Sequence, residues 1–302
     1  MEGALRAKGR RLASEPKAVT PSPRGGAQEA RSGVEGALRA KGRRLASESA
    51  VVISFPLEEQ GENALDGQEA QGMKNQYFGD IRDLFKYDLA LHLLGSIKRL
   101  DRFLFIPMLT PDDDRSDGGK TAYQRARAGT RNRELVEFLR SRVEQGRRDV
   151  LEITGYFTSR GVEMHMHGDG KAFFTQRGRA EYFGSIDQRA LRSSLILLDP
   201  DIGLEVRDAD EKHLMYSEVK QLCRRMGYNS LMMIFQYLPR ENRPTYLYRR
   251  VMELKQLTGD QPEYISDNEI IFFFICKNPS LKEELVAALR EYVRLYPDLL
   301  IS

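Results

Sequence analysis

From residue 73 onward the chain shows regularly spaced apolar positions that switch repeatedly between the helical and the extended period. Over 83–100, Leu84, Tyr87, Leu91 and Leu94 recur at helical spacing, and RFLFIPML at 102–109 follows as a short apolar run bounded by polar residues. This predicts a helix and then a buried strand. A second helix is predicted over 132–145, where Gly146, Arg147 and Arg148 either end it or lead into a short continuation through Phe157. Residues 162–167 alternate as a strand does, 176–184 form a weak helix, and SLILL at 194–198 is unbroken enough to be a central strand. Ser217 reads as the N-cap of a helix over 218–226 that Gly227 ends, and LMMIFQY at 231–237 is the next strand. A helix over 243–257, a strand over 269–276 (EIIFFFIC) and an amphipathic helix over 280–295 complete the series.

Strands separated by helices predict a sheet covered on both faces, so the expected fold class is α/β, a three-layer Rossmann-like doubly wound domain over 73–302. In such sheets the ligand lies beyond the carboxyl ends of the strands. Functional residues are therefore sought immediately after each strand.

The residues before Met73 follow a different pattern. EGALRAKGRRLASE occurs at 2–15 and again, unchanged, at 35–48. Two units are too few to bury a solenoid core, and identity at every position points to duplicated DNA rather than a stacked module. The Pro-, Gly- and Ser-rich PKAVTPSPRGGAQEARSG between the copies is expected to be disordered, which makes 1–72 a leader and Met73 a natural start. A rival reading of the Arg-rich stretch is a basic nucleic-acid-binding or targeting arm. If the leader is dispensable for folding, a chain beginning at Met73 should show the same thermal midpoint and far-ultraviolet dichroism per residue as the whole chain within its ordered part. Failure of that shortened chain to fold would refute the expectation.

Composition limits the functional classes. The formal charge of +3 on 302 residues is concentrated in the first fifty, so the domain itself is nearly neutral and carries no electrostatic case for nucleic acid. Cys223 and Cys276 have no CxxC or His-spaced partner, and are expected to be reduced core residues. There is no apolar run of membrane-spanning length and no signal-peptide pattern, so the expectation is a cytoplasmic protein without a membrane partner.

The strongest candidate chemistry follows SLILL. Asp199, Pro200, Asp201 and Glu205 place three carboxylates where an α/β sheet holds its ligand, and Pro200 makes the exit from the strand a rigid turn. Acids so placed could bind Mg²⁺, accept a proton or receive a hydrogen bond from an amino group. The bland alternative is a strand-ending turn with solvated acids. Pro200-Asp201 followed by Glu218-Val219-Lys220 also imitates a PD-(D/E)xK nuclease signature, although that signature needs Glu and Lys on a strand and SEVKQLCRRMG is helical in pattern. Asp112, Asp113 and Asp114, after the first strand, offer a ribose or metal site by the same strand-end argument. Gly119-Lys120-Thr121 is not a P-loop, because Asp114 stands where GxxxxGK[ST] requires glycine. His165 and His167, two apart on a strand, could join Asp169 around a metal, whereas a polar strand face explains them as well. Asp80 and Asp83 suit a helix N-terminus, with Lys86 one turn beyond Asp83.

Three segments in order resemble the bacterial ribosomal-RNA adenine-N6 methyltransferases of the DPPY class. The helix from Gly79 to Tyr87 is similar to that family's N-x-x-D-x-x-K-H-like opening, and Asp199-Pro200-Asp201-Ile202 to its DPPY after an apolar strand. IFQYLPR at 234–240 and IIFFFICKNP at 270–279 are similar to its late Tyr-Pro and Asn-Pro segments. The resemblance implies a methyltransferase-type Rossmann-like fold, S-adenosylmethionine as cofactor and RNA, DNA or a nucleotide as partner. By position it implies that Asp199 receives a hydrogen bond from the target amine, with Lys86 in support; Asp201 joins them as a catalytic candidate from the strand-end argument alone. Asp83 and Lys86 border the cofactor or substrate site in that scheme, and Asp112 and Asp169, which follow the first two strands, are further cofactor-binding candidates by position rather than by resemblance. The chain carries Asp201 and Ile202 where the family has a second proline and a base-stacking aromatic, and RFLFIPMLTPDDD where methyltransferases have a Gly-rich turn. The alternatives are a metal-dependent nuclease or phosphodiesterase built on Asp199, Asp201 and Glu205, and a noncatalytic Rossmann-like interaction module.

Overall fold

A computed structural model describes residues 74–112, 120–123, 127–170 and 173–302. The repeated leader, Met73, Asp113, Asp114 and Gly119 lie outside the described residues.

In chain order the helices are α1 (Ile81–Ser96), α2 (Arg133–Glu144), α3 (Glu152–Ser159), α4 (Arg179–Gly184), α5 (Tyr216–Arg225), α6 (Arg243–Thr258) and α7 (Pro279–Leu295). The strands are β1 (Arg102–Pro107), β2 (Glu163–Met166), β3 (Ser194–Asp199), β4 (Gly203–Leu204), β5 (His213–Leu214), β6 (Leu231–Tyr237), β7 (Glu263–Ser266), β8 (Ile270–Cys276) and β9 (Leu300–Ile301). Seven of these form one sheet in the order β2-β1-β3-β6-β8-β7-β9, while β4 and β5 form a separate parallel pair. β2, β1, β3 and β6 run parallel, β8 is antiparallel to both β6 and β7, and β9 closes the edge antiparallel to β7.

The unbroken apolar runs of β1, β3 and β6 arise because both faces of the sheet are covered. Phe103, Phe105, Leu195, Leu197, Leu231 and Met233 pack with α1, α2, α3 and α7 on one side. The alternate residues Leu104, Ile106, Ile196, Leu198, Met232 and Ile234 pack with α4, α5 and α6 on the other. The chain is thus a three-layer Rossmann-like α/β domain, as the alternation predicts.

Several boundaries differ from the sequence reading, each for a local reason. Asp80 caps α1, accepting from the backbone N–H groups of Arg82 (2.8 Å) and Asp83 (3.0 Å), so the helix begins before Asp83. α2 ends at Glu144 and α3 is a separate helix, with Gly146 between them at a positive φ of 67°. Ser217 lies inside α5 rather than at its cap: the N-cap is Met215, whose N–H donates to Glu218 Oε2 at 2.8 Å. β7, β9 and the pair β4–β5 have no counterpart in the sequence reading, being too short to show a period.

The topology fixes where a ligand site belongs. From β1 the chain crosses to β2 on one side, and from β2 it passes back over β1 to β3 on the other. The carboxyl ends of β1 and β3 therefore border the point where the winding direction reverses, and there the loops part and leave a crevice.

Candidate functional site at the carboxyl ends of the central strands

Asp199 is the last residue of β3 and is only 1% exposed. Its Oδ2 accepts a hydrogen bond from Lys86 Nζ at 2.6 Å. The same ammonium donates to Asp83 Oδ1 at 2.8 Å, one helical turn back on α1, while Asp83 Oδ2 accepts from the Gly79 N–H at 3.0 Å. Gly79 has φ of 85°, and a Cβ there would stand 2.6 Å from Val143 Cγ2, so glycine is required both by conformation and by space. Lys86 thus ties the first helix to the end of the central strand across 113 residues of sequence. Its ammonium also lies over the rings of Phe235 (5.3 Å) and Tyr87 (5.6 Å), which favour a cation on their faces.

Beside this ion pair is a small, partly open cavity of about 20 Å³, enough for one water molecule or a group of that size. Aromatic faces (Tyr77, Phe78, Phe235, Tyr237) and carboxylates (Asp80, Asp83, Asp199) share its wall with Lys74, Arg82 and Lys86.

Burial governs the acid–base properties. It pushes Asp199 up to about 6, with Lys86 pulling the other way, and pushes Asp80 up to about 6, aided by the neighbouring charge of Asp83. Burial alone would lower Lys86, yet Asp199 and Asp83 together outweigh it and hold the ammonium charged well above its ordinary range. At neutral pH Lys86 and Asp199 therefore form an ionised pair, with Asp83 as the second acceptor of the ammonium.

Across the crevice, Thr110 from the loop after β1 donates its hydroxyl to Asp201 Oδ2 at 2.9 Å. Asp201 is 1% exposed, and burial raises it to about 6 against the Thr110 hydrogen bond. Asp112 is exposed and accepts from the Gln76 N–H at 3.1 Å, which holds the segment before α1 against the end of β1. Asp169 is exposed in the turn that follows β2, a strand at the sheet edge, with φ of 52°. Of the residues singled out from the sequence, Lys86, Asp83 and Asp199 are brought into direct contact, Asp201 lies across the switch point, and Asp112 borders the rim.

Glu205 faces elsewhere. Its Oε2 accepts the Tyr216 N–H at 2.8 Å at the start of α5, so it serves the helix rather than Asp199. Glu218 is buried in an ion pair with Arg179 (2.7 Å) and Lys220 is exposed on the same helix, which removes the geometry a PD-(D/E)xK signature needs. His165 pairs with Glu163 at 2.6 Å, and His167 lies past the strand, its Nε2 at 2.7 Å from the carbonyl of Tyr182. Among the described residues, no three His, Cys, Asp or Glu side chains gather closely enough to hold a metal ion. Cys276 is buried, Cys223 is half-buried, and both are free thiols.

Some contributors were not singled out from the sequence. Glu269, in the turn before β8, receives Arg127 (2.8 Å), Lys120 (3.1 Å) and Arg82 (3.2 Å). These cations hold its carboxyl down to about 2 although burial alone would raise it. Arg82 also stacks over Tyr237, 5.0 Å from the ring centre. Tyr237 closes β6, and the sequence marked it only as part of IFQYLPR, without a role of its own. Thr110 and Glu269 have no local pattern that marks them. No helix among the described residues is long and apolar enough to cross a membrane.

No protein-family model matches this chain, and a search of curated proteins finds no match to it either.

Proposed function

We propose that the crevice at the ends of β1, β3 and β6 is the active site of an S-adenosylmethionine-dependent methyltransferase acting on a nitrogen of a nucleic acid or nucleotide. The observation that carries the reading is Asp199: a buried carboxylate at the end of a central strand, beside the topological switch point and in the wall of a cavity with aromatic and acidic faces.

The aromatic faces suit an adenine ring, while the wall carboxylates Asp80, Asp83 and Asp199 are balanced by Lys74, Arg82 and Lys86. The cavity is far smaller than a nucleoside, so it suits only the reacting group, and the nucleoside would lie outside it, toward Asp112. When bound, the cofactor supplies an electrophilic methyl group. Asp199 then orients the target amino group by accepting one of its hydrogens, which aims the nitrogen lone pair. Lys86 keeps Asp199 in place and balances its charge. The proton that the nitrogen loses passes to a carboxylate of the site or to water.

Fusion temperature with added ligand tests the reading. S-adenosylhomocysteine at 100 times its dissociation constant should stabilise the protein by about 2.7 kcal/mol, a shift of a few degrees. Stabilisation by Mg²⁺ or Mn²⁺ instead would favour the phosphodiesterase reading, and no response to either would favour a noncatalytic module.

A further inference from the structure

We propose that Asp201 is a ligand-binding carboxylate whose Oδ1 takes a hydroxyl or amino hydrogen from a nucleoside. The assignment rests on the nucleoside-binding part of the function proposed above. Asp201 is 1% exposed, and while Oδ2 accepts from Thr110 Oγ1 at 2.9 Å, Oδ1 is buried with no hydrogen-bond partner. An ionised carboxylate accepts through both oxygens, and a buried acceptor left unmatched is costly to the fold. The other acids near the crevice are engaged at their own positions: Asp112 by Gln76, Glu205 by Tyr216 and Asp83 by Gly79 and Lys86.

The location points to a ligand. Pro200 carries the chain out of β3 beside the loop after β1, so Asp201 and Thr110 meet across the switch point. Asp201 stands two residues beyond Asp199, which ends β3 and lines the cavity. The bond to Thr110 requires only one oxygen, and the amide oxygen of asparagine would accept it equally well. The second oxygen therefore has no use in the fold, and a hydrogen donor of a ligand would match it. A donor fits better than a metal ion, because among the described residues no further His, Cys, Asp or Glu pair stands close enough to complete a coordination shell.

Asp201→Asn tests this, since it preserves shape and the Thr110 bond and replaces the orphan acceptor with an N–H₂ donor. Thermal midpoint and calorimetric affinity for S-adenosylhomocysteine and adenosine would be measured on the full chain and the variant. The expected result is an unchanged or higher midpoint with at least a tenfold loss of nucleoside affinity. Purine riboside, which lacks the amino group, and 2′,3′-dideoxyadenosine, which lacks the hydroxyls, identify which donor is taken, because the group in contact is the one whose absence abolishes the difference between the two proteins. Equal binding of S-adenosylhomocysteine by both proteins would overturn the Asp201 assignment and leave the methyltransferase reading standing. Binding of adenosine but not of S-adenosylhomocysteine would overturn that reading, and the ratio between variant and full chain would still decide Asp201. Binding of neither overturns both, and a midpoint lowered by more than about 5 °C makes Asp201 a structural residue and overturns the proposal.

Discussion

Lys86→Met is expected to destabilise the folded chain by about 3–5 kcal/mol at pH 8, because it leaves Asp83 and Asp199 buried and facing each other without their shared cation. Lys86 is 3% exposed and Asp199 1%, so water cannot replace the lost partner without opening the packing between α1 and β3. Methionine has nearly the reach of the lysine stem, which confines the change to the charge. Adding Asp199→Asn to Lys86→Met removes one of the stranded carboxylates and should restore more than about 1 kcal/mol of the loss, a coupling that independent sites would not show. Urea denaturation of the two single variants and the double variant measures it. Additive losses would mean that these groups do not act as a unit.

The second large effect is a stability that increases on mild acidification. Asp80, Asp199 and Asp201 are each raised by burial to about 6, from the ordinary 3.8. Between these values the folded chain binds more protons than the unfolded one, so the free energy of unfolding falls as pH rises through that window. The buried carboxylates are thus least costly when protonated, below about 4, and the full penalty is present above about 6. Glu269 acts in the opposite sense: held down to about 2, it contributes stability above its ordinary 4.5 that is lost as pH falls toward 2. The two windows hardly overlap. Stability should therefore rise by roughly 1–3 kcal/mol between pH 7 and pH 5 and decline again in stronger acid. Asp201→Asn should flatten the rise, because it removes one of the three groups that take up a proton. A flat profile between pH 5 and 7 in the unsubstituted chain would show that these carboxyls are not protonated on folding in this range.

Both effects depend on a site whose parts differ in how far the sequence discloses them. Asp83 and Lys86 are one helical turn apart, so their contact follows from the period alone. The position of Asp199 also followed, since SLILL ends in an acid and strand ends are where doubly wound sheets bind. That Asp199 receives the ammonium of Lys86 could not be read, because it depends on how α1 lies against β3. The same limit applies to Glu205, which three residues of spacing would group with Asp201 but which the β4–β5 turn directs to α5.

The order of helices and strands was set by local apolar periods, and these also determined that the sheet is buried on both faces, because unbroken runs such as SLILL and IIFFFIC cannot present a polar side. Strand direction was a tertiary matter. β8 runs antiparallel because β7, four residues long, forms a hairpin with it, and so short a strand carries no period of its own. Site chemistry divides in the same way: the sequence determined which acids stand at strand ends, whereas the fold decided which are neutralised, which cap helices and which is left with an unmatched oxygen. Period and capping are interactions between residues a few positions apart, while charge pairing across the switch point is a contact between segments that only the packed sheet brings together.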